Sequence, residues 1–327
     1  MEHAPSRYRA PVWLPGGNLQ TLYPALLARR PQVSYRRERW DTPDGDFIDL
    51  DWIEDRGSRI EDPGRPLLVL FHGLEGSSNS HYARALMHAA AQRGWQGVVV
   101  HFRGCSGDLN RLPRAYHSGD SAEIDWILRR LQARHADRPL HAAGVSLGGN
   151  ALLKWLGEHG TAAGRIVRRA AAISAPVDLN AAGAALERGF NLAYTKNFLA
   201  TMKLKSFAKL AAHPGLFDSD RLRAARTLRE FDDLVTAPLH GFRDVDDYWT
   251  RASSKPYLAQ IAVPTLLLNA RNDPFLPADA LPAADQVSAA VTLLYPDEGG
   301  HVGFLSGAFP GTLAWLPHAV LGFLAPQ

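Results

Sequence analysis

Leu140-His141-Ala142-Ala143-Gly144-Val145-Ser146-Leu147-Gly148-Gly149-Asn150-Ala151-Leu152-Leu153-Lys154-Trp155-Leu156 is the stretch from which the rest of the chain is read. Small and apolar residues lead into a turn and good helix formers leave it, which predicts strand, turn, helix. The turn holds Gly144-Val145-Ser146-Leu147-Gly148, a G-x-S-x-G pattern. In a nucleophile elbow the serine occupies a tight, strained turn between strand and helix. Glycines are needed two residues either side because larger groups would collide with the neighbouring strand and helix. The helix start behind the serine offers free N–H groups and the positive end of the helix dipole.

On both sides of this stretch, buried strands alternate with helices. Pro66-Leu67-Leu68-Val69-Leu70-Phe71-His72-Gly73 and Gly97-Val98-Val99-Val100-His101-Phe102 read as continuous apolar runs, suited to strands covered on both faces. Ala170 to Ser174, Pro264 to Asn269 and Val291 to Tyr295 read as further strands. Tyr82 to Arg93 and Ala122 to Ala133 carry helical spacing, and Gly311 to Leu324 reads as a closing helix despite Pro317. Before these, residues 33–40 and 46–53 read as paired strands around Pro43-Asp44-Gly45, the second alternating acidic and apolar residues. The alternation predicts a mostly parallel, three-layer α/β sheet. The rhythm breaks at Pro176 and resumes near Ile261. The expected division is an irregular N-terminal arm over 1–32 packed on the body, a core over 33–176 and 262–327, and a helical lid over 177–261. Ligands bind at the carboxyl edge of such sheets, where this insertion leaves the chain.

A serine nucleophile needs a base and an orienting acid. His301 stands in Gly299-Gly300-His301-Val302-Gly303, directly after the last expected strand; of 13 histidines it alone has this setting. Asp273 stands between the preceding strand and Pro274-Phe275. The order Ser146, Asp273, His301 is the one expected of an α/β-hydrolase. The expected oxyanion donors are the N–H groups of Leu147 and of Leu74, the latter in His72-Gly73-Leu74-Glu75-Gly76. His72 is expected to shape that loop rather than act as a base. Cys105 follows a strand without a glycine-flanked elbow and is not favoured as a nucleophile.

Composition narrows the remaining classes. A net charge of +3 on 327 residues gives no reason to expect nucleic acid. One cysteine excludes an internal disulfide, and no Cys/His cluster, H-E-x-x-H, Walker A or G-x-G-x-x-G spacing calls for a metal or cofactor. No signal peptide or spanning segment is read, so a cytoplasmic protein is expected. Five of the six lysines fall between Lys196 and Lys255, and the four from Lys196 to Lys209 are interleaved with apolar residues. They are read as solvated lysines on a lid segment, in preference to a membrane-docking face.

The chain resembles the YheT-type α/β-hydrolases, the group that includes mammalian α/β-hydrolase domain proteins 1 and 3. The matching pieces run almost from end to end. They include Trp13-Leu14-Pro15-Gly16-Gly17-Asn18-Leu19-Gln20-Thr21-Leu22, His101-Phe102-Arg103-Gly104-Cys105-Ser106-Gly107, Tyr116-His117-Ser118-Gly119, the elbow, Asn272-Asp273-Pro274-Phe275 and Gly299-Gly300-His301-Val302-Gly303. The resemblance implies an α/β-hydrolase fold, with a mostly parallel eight-stranded sheet flanked by helices and a helical lid. It also implies a Ser146–Asp273–His301 hydrolase of carboxylic esters that takes a small-molecule ester and no cofactor. Members often carry two aspartates before Pro-Phe; here the first position is Asn272. Lipase or phospholipase action at a membrane surface, and a non-catalytic hydrolase-fold binding protein, stand as alternatives.

Overall fold

In the computed structural model, residues 7–54 and 64–325 are described. Residues 1–6 of the expected arm, 55–63 of the expected core and 326–327 at the close of the chain lie outside them.

The arm is not irregular throughout. Gly17–Leu26 forms a helix, α1, with Pro24 inside it and Gly16 at φ 77° before it. Neither glycine nor an interior proline favours a helix, so packing rather than propensity sustains it.

Two antiparallel strands follow, β1 (Tyr35–Asp41) and β2 (Phe47–Ile53), joined by the expected turn. The acidic face of β2 is not open to solvent; every residue of the strand is buried. Asp49 takes both arms of the Arg39 guanidinium at 2.8 Å, and Asp51 takes Arg37, Ser78 and His101. Buried carboxylates need such donors, and β1 supplies two of them across the ladder.

The parallel body is β3 (Leu67–Phe71), β4 (Gln96–His101), β5 (Leu140–Val145), β6 (Arg169–Ile173), β7 (Thr265–Leu268) and β8 (Val291–Leu294). The eight-stranded sheet runs β1-β2-β4-β3-β5-β6-β7-β8, antiparallel only at its first two pairings. β3 shows why an uninterrupted apolar run makes a central strand. Leu67, Val69 and Phe71 enter one hydrophobic layer, Leu68 and Leu70 the other.

Helices cover both faces. α2 (His81–Gln92) packs in the layer that holds Leu68 and Leu70, and α3 (Ser121–Arg134) and α4 (Leu147–His159) in the layer that holds Phe71. Between β6 and β7 come α5 (Leu179–Leu186), α6 (Asn191–Ala212), α7 (Ser219–Ala224), α8 (Leu228–Phe231), a π-turn over Asp232–Thr236, α9 (Ala237–Leu239) and α10 (Val245–Ala252). These share a separate apolar cluster that also takes in Phe275. The closing helix α11 (Trp315–Leu324) joins α2 over the same face of the sheet. It starts four residues later than the sequence suggests. Pro317 then falls in its first turn, where a missing N–H costs no helical hydrogen bond. Among the described residues no helix is long and apolar enough to cross a membrane.

The α6 lysines are not all solvated. Lys196 is exposed, but Lys205 turns to Glu75 at 2.9 Å, and Lys209 is buried with its ammonium donating to the carbonyls of Asn110, Leu112 and Arg114. Lys203 donates to the carbonyls of Arg223 and Ala225. A long helix whose cations find acceptors inward leaves no basic stripe outward.

Candidate active site

β5 ends at Val145 and α4 begins at Leu147, so Ser146 alone makes the bend, at φ 52° and ψ −120°. A non-glycine residue held there stores on the order of 1–3 kcal/mol of strain. The flanking glycines are required by contact. A Cβ on Gly144 would lie 2.4 Å from the Gly148 carbonyl oxygen, and one on Gly148 would lie 2.5 Å from that of Phe71. The Ser146 N–H donates to Ile173 of β6 at 2.8 Å, tying the bend to the sheet. Asn150, one turn into α4 and fully buried, donates to the carbonyls of Ser118 and Ala252 and accepts from the Ser254 N–H.

The loops after β5, β7 and β8 all leave the carboxyl edge of the parallel strands, and the three side chains singled out from the sequence meet there. His301 Nε2 lies 3.0 Å from Ser146 Oγ. Its Nδ1 lies 2.9 and 3.1 Å from the two carboxylate oxygens of Asp273. A carboxylate only accepts, so Nδ1 carries the proton and Nε2 is left to receive the serine hydroxyl. Asp273 is buried and also accepts from the Phe275 N–H at 2.8 Å and from Asn269 at 3.4 Å. The Phe275 ring stacks on His301 with centroids 4.1 Å apart.

The loop after β3 lies alongside. Phe71 pairs with Gly144, which carries Gly73 to Ser146; a Cβ on Gly73 would sit 3.1 Å from that of the serine. The N–H groups flanking Leu74 are taken, that of Gly73 by Tyr82 Oη and that of Glu75 by Tyr116 Oη, both at 2.9 Å. Among the described residues none accepts from the N–H of Leu74 or of Leu147. His72 sits beneath, accepting from the Phe102 N–H and facing the Gly73 carbonyl. Burial holds its pKa down at about 3, so it stays neutral and shapes the loop. Glu75, at φ 56°, meets Lys205 of α6 and Tyr116. Cys105 lies 3.5 Å from the Lys205 ammonium, yet burial pushes its thiol up to about 11, which keeps it from the thiolate form.

A cavity of about 170 Å³ opens beside Ser146, Leu74 and His301. Leu179, Leu186, Phe198, Met202, Phe231 and Trp249, all from the helical segment, line it. Asp232 is a polar exception on this wall. Its carboxylate accepts from Thr236 at 2.6 Å and Trp249 at 2.9 Å, and burial raises its pKa to about 6. Among the described residues no group of three or more His, Cys, Asp or Glu side chains is placed to hold a metal ion.

Two polar residues of α1 that the sequence left without a role touch this site. Thr21 Oγ accepts from the His301 N–H at 2.8 Å, and Gln20 reaches Asn272 and Gly299. The only signal for them was their place in the Trp13–Leu22 stretch. Their partners lie 252 to 280 residues away, beyond the reach of any local pattern.

Comparison with known proteins agrees with this architecture. The family model described as alpha/beta hydrolase fold matches residues 66–308. "Putative esterase YheT" of Escherichia coli (strain K12) is 41% identical over 309 residues, covering 94% of this chain and 89% of its own. Phospholipase ABHD3 of Mus musculus is 32% identical over 333 residues, 99% of this chain and 80% of its own. Among solved structures, Est1E from Butyrivibrio proteoclasticus, with ferulic acid bound, superposes with a TM-score of 0.55 at 14% identity, over 88% of this chain and 97% of its own, a likeness of fold alone. With this identity over nearly its whole length, the chain belongs to the YheT-like α/β-hydrolase family.

Proposed function

We propose that the chain is a serine hydrolase that cleaves carboxylic esters through an acyl-enzyme on Ser146. One observation carries this reading: the unbroken chain of contacts from Asp273 through His301 to Ser146, at 2.9 and 3.0 Å. His301 Nε2 takes the hydroxyl proton as Ser146 Oγ attacks the ester carbonyl. Asp273 fixes the imidazole and stabilises its cation. The N–H groups of Leu74 and Leu147 receive the oxyanion, and His301 returns its proton to the departing alcohol. Water, activated by the same histidine, then frees the acid. The names of the relatives, an esterase and a phospholipase, support ester chemistry. The helical segment over 177–261 acts as a lid whose apolar wall receives the acyl group.

The apolar cavity wall and the phospholipase relative favour a second reading, action on longer acyl chains of glycerolipids. One assay separates them: turnover of nitrophenyl esters from acetate to palmitate, with wild type and Ser146→Ala side by side. Activity that declines with chain length identifies a short- to medium-chain esterase, and a rise toward palmitate the lipase reading. Ser146→Ala is expected to lower kcat by on the order of 10⁴- to 10⁶-fold. Near-normal turnover in the folded variant rules out both.

A further inference from the structure

The nucleophile and its partners stand on loops that follow three different strands. Something must set the spacing between the Asp273 loop and the His301 loop, and the sheet alone does so only as far as β7 and β8 extend. Leu268 and Leu294 end those strands, five and seven residues short of the two side chains.

Helix α1 bridges the gap. Gln20 is 1% exposed, and its amide is used completely. Oε1 accepts from Asn272 Nδ2 at 2.8 Å and from the Gly299 N–H at 2.9 Å. Nε2 donates to the Leu14 carbonyl at 2.9 Å and to Glu298 at 3.1 Å. One side chain thus holds the neighbour of Asp273 and the loop of His301 together. Asn272 closes the ring by accepting from the Gly300 N–H at 2.9 Å. Thr21 Oγ takes the N–H of His301 itself at 2.8 Å and donates to the Gly17 carbonyl at 2.7 Å.

The backbones are fitted to one another as closely. A Cβ on Gly17 would lie 2.0 Å from the Asn272 carbonyl oxygen, and one on Gly303 would lie 1.8 Å from that of Gln20. Pro24 has no N–H to give to the Gln20 carbonyl four residues back, so the helix leaves that oxygen to face Gly303. A helix with such poor propensity is retained where Gln20 and Thr21 bind two loops of the site.

We propose that Gln20 and Thr21 are positioning residues, and that α1 is a clamp fixing the Asp273 carboxylate against the His301 imidazole. The proposal rests on the Ser146–Asp273–His301 reading above. Neither residue touches the reacting atoms. Each acts by holding His301 within reach of Ser146 and Asp273 at once, where a displacement of about 1 Å costs up to roughly 100-fold in rate.

The test compares wild type, Thr21→Val, Thr21→Ser and Gln20→Ala on one nitrophenyl ester, with kcat referred to folded protein measured by near-ultraviolet circular dichroism. Thr21→Val keeps the shape and removes the acceptor for the His301 N–H. The expected result is kcat lower by roughly 10- to 100-fold with KM within about twofold, and recovery of most of the rate in Thr21→Ser. Gln20→Ala should lower kcat in the same way; if it fails to fold, the Thr21 pair decides. Wild-type kcat in Thr21→Val, an equal loss in Thr21→Ser, or a change confined to KM would each overturn the clamp. Wild-type activity that survives Ser146→Ala would instead remove the triad reading on which the clamp depends.

Discussion

Asp273 accepts from an imidazole, a backbone N–H and an amide while almost wholly buried. Its part in the proposed mechanism is to fix which imidazole nitrogen carries the proton. Asp273→Asn presents an amide that can donate to Nδ1 and turn His301 to the wrong tautomer. We expect kcat to fall by on the order of 10⁴-fold with KM little changed, measured on the same esters; a loss in KM alone would argue against the assigned role. That Ser146, Asp273 and His301 come together was readable because each lies one to seven residues after a strand, among glycines or before a proline, which are local marks. Gln20, Thr21 and Asn272 were not. A buried amide that ties one loop to another carries no periodicity, and its partner is chosen by the fold. Lys209 was misread for the same reason: its three carbonyl acceptors lie 95 to 99 residues before it.

At the scale of elements, strands were legible where both faces are covered, because that burial writes an unbroken apolar run, as in β3 and in Val98 to Val100 of β4. β2 was legible as a strand but not as a buried one. Its acidic residues imply solvent until Arg37 and Arg39 are seen opposite them. Helix α1 was missed because Gly17 and Pro24 speak against a helix, and contacts with distant parts of the chain make up the difference. Arg103 shows how a loop is held between elements. The residue is 5% exposed, and its guanidinium meets Asp44 and Asp46 of the β1–β2 turn and Glu123 of α3. Arg103→Ala removes the paired cation of buried Asp46 and leaves buried Glu123 with Arg114 alone, at 3.3 Å. A loss of roughly 3–5 kcal/mol is expected, read from the urea midpoint at neutral pH. A loss below about 1 kcal/mol would mean that water replaces the arginine.

For the whole molecule, the three-layer body followed from alternating strands and helices, and the helical segment from the break at Pro176. What its helices enclose could not be read, since the cavity wall draws on residues spread from Leu74 to His301. Asp232 on that wall gives the folded state a titration of its own. Its folded pKa of about 6 lies above the ordinary 3.8, so the native state keeps a proton that the unfolded chain has lost. The stability this confers is full below about pH 4 and is lost as pH rises through about 6. Relative to Asp232→Asn, wild type should therefore lose up to about 1.4 kcal/mol per pH unit across that window, measured by urea unfolding. Parallel pH profiles in the two proteins would show that Asp232 is already ionised there.

The bond from the Gly299 N–H to Gln20 spans 279 residues of chain. A ribosome adds about 5–20 residues per second, so Gln20 and Thr21 are made on the order of tens of seconds before the loop they hold. During that interval β3, β5 and the serine bend between β5 and α4 have already been synthesised, and the nascent chain holds the bend but not yet His301. The serine bend is therefore made well before Asp273 and His301, and the contacts that join the three can form only once the loop after β8 has been translated.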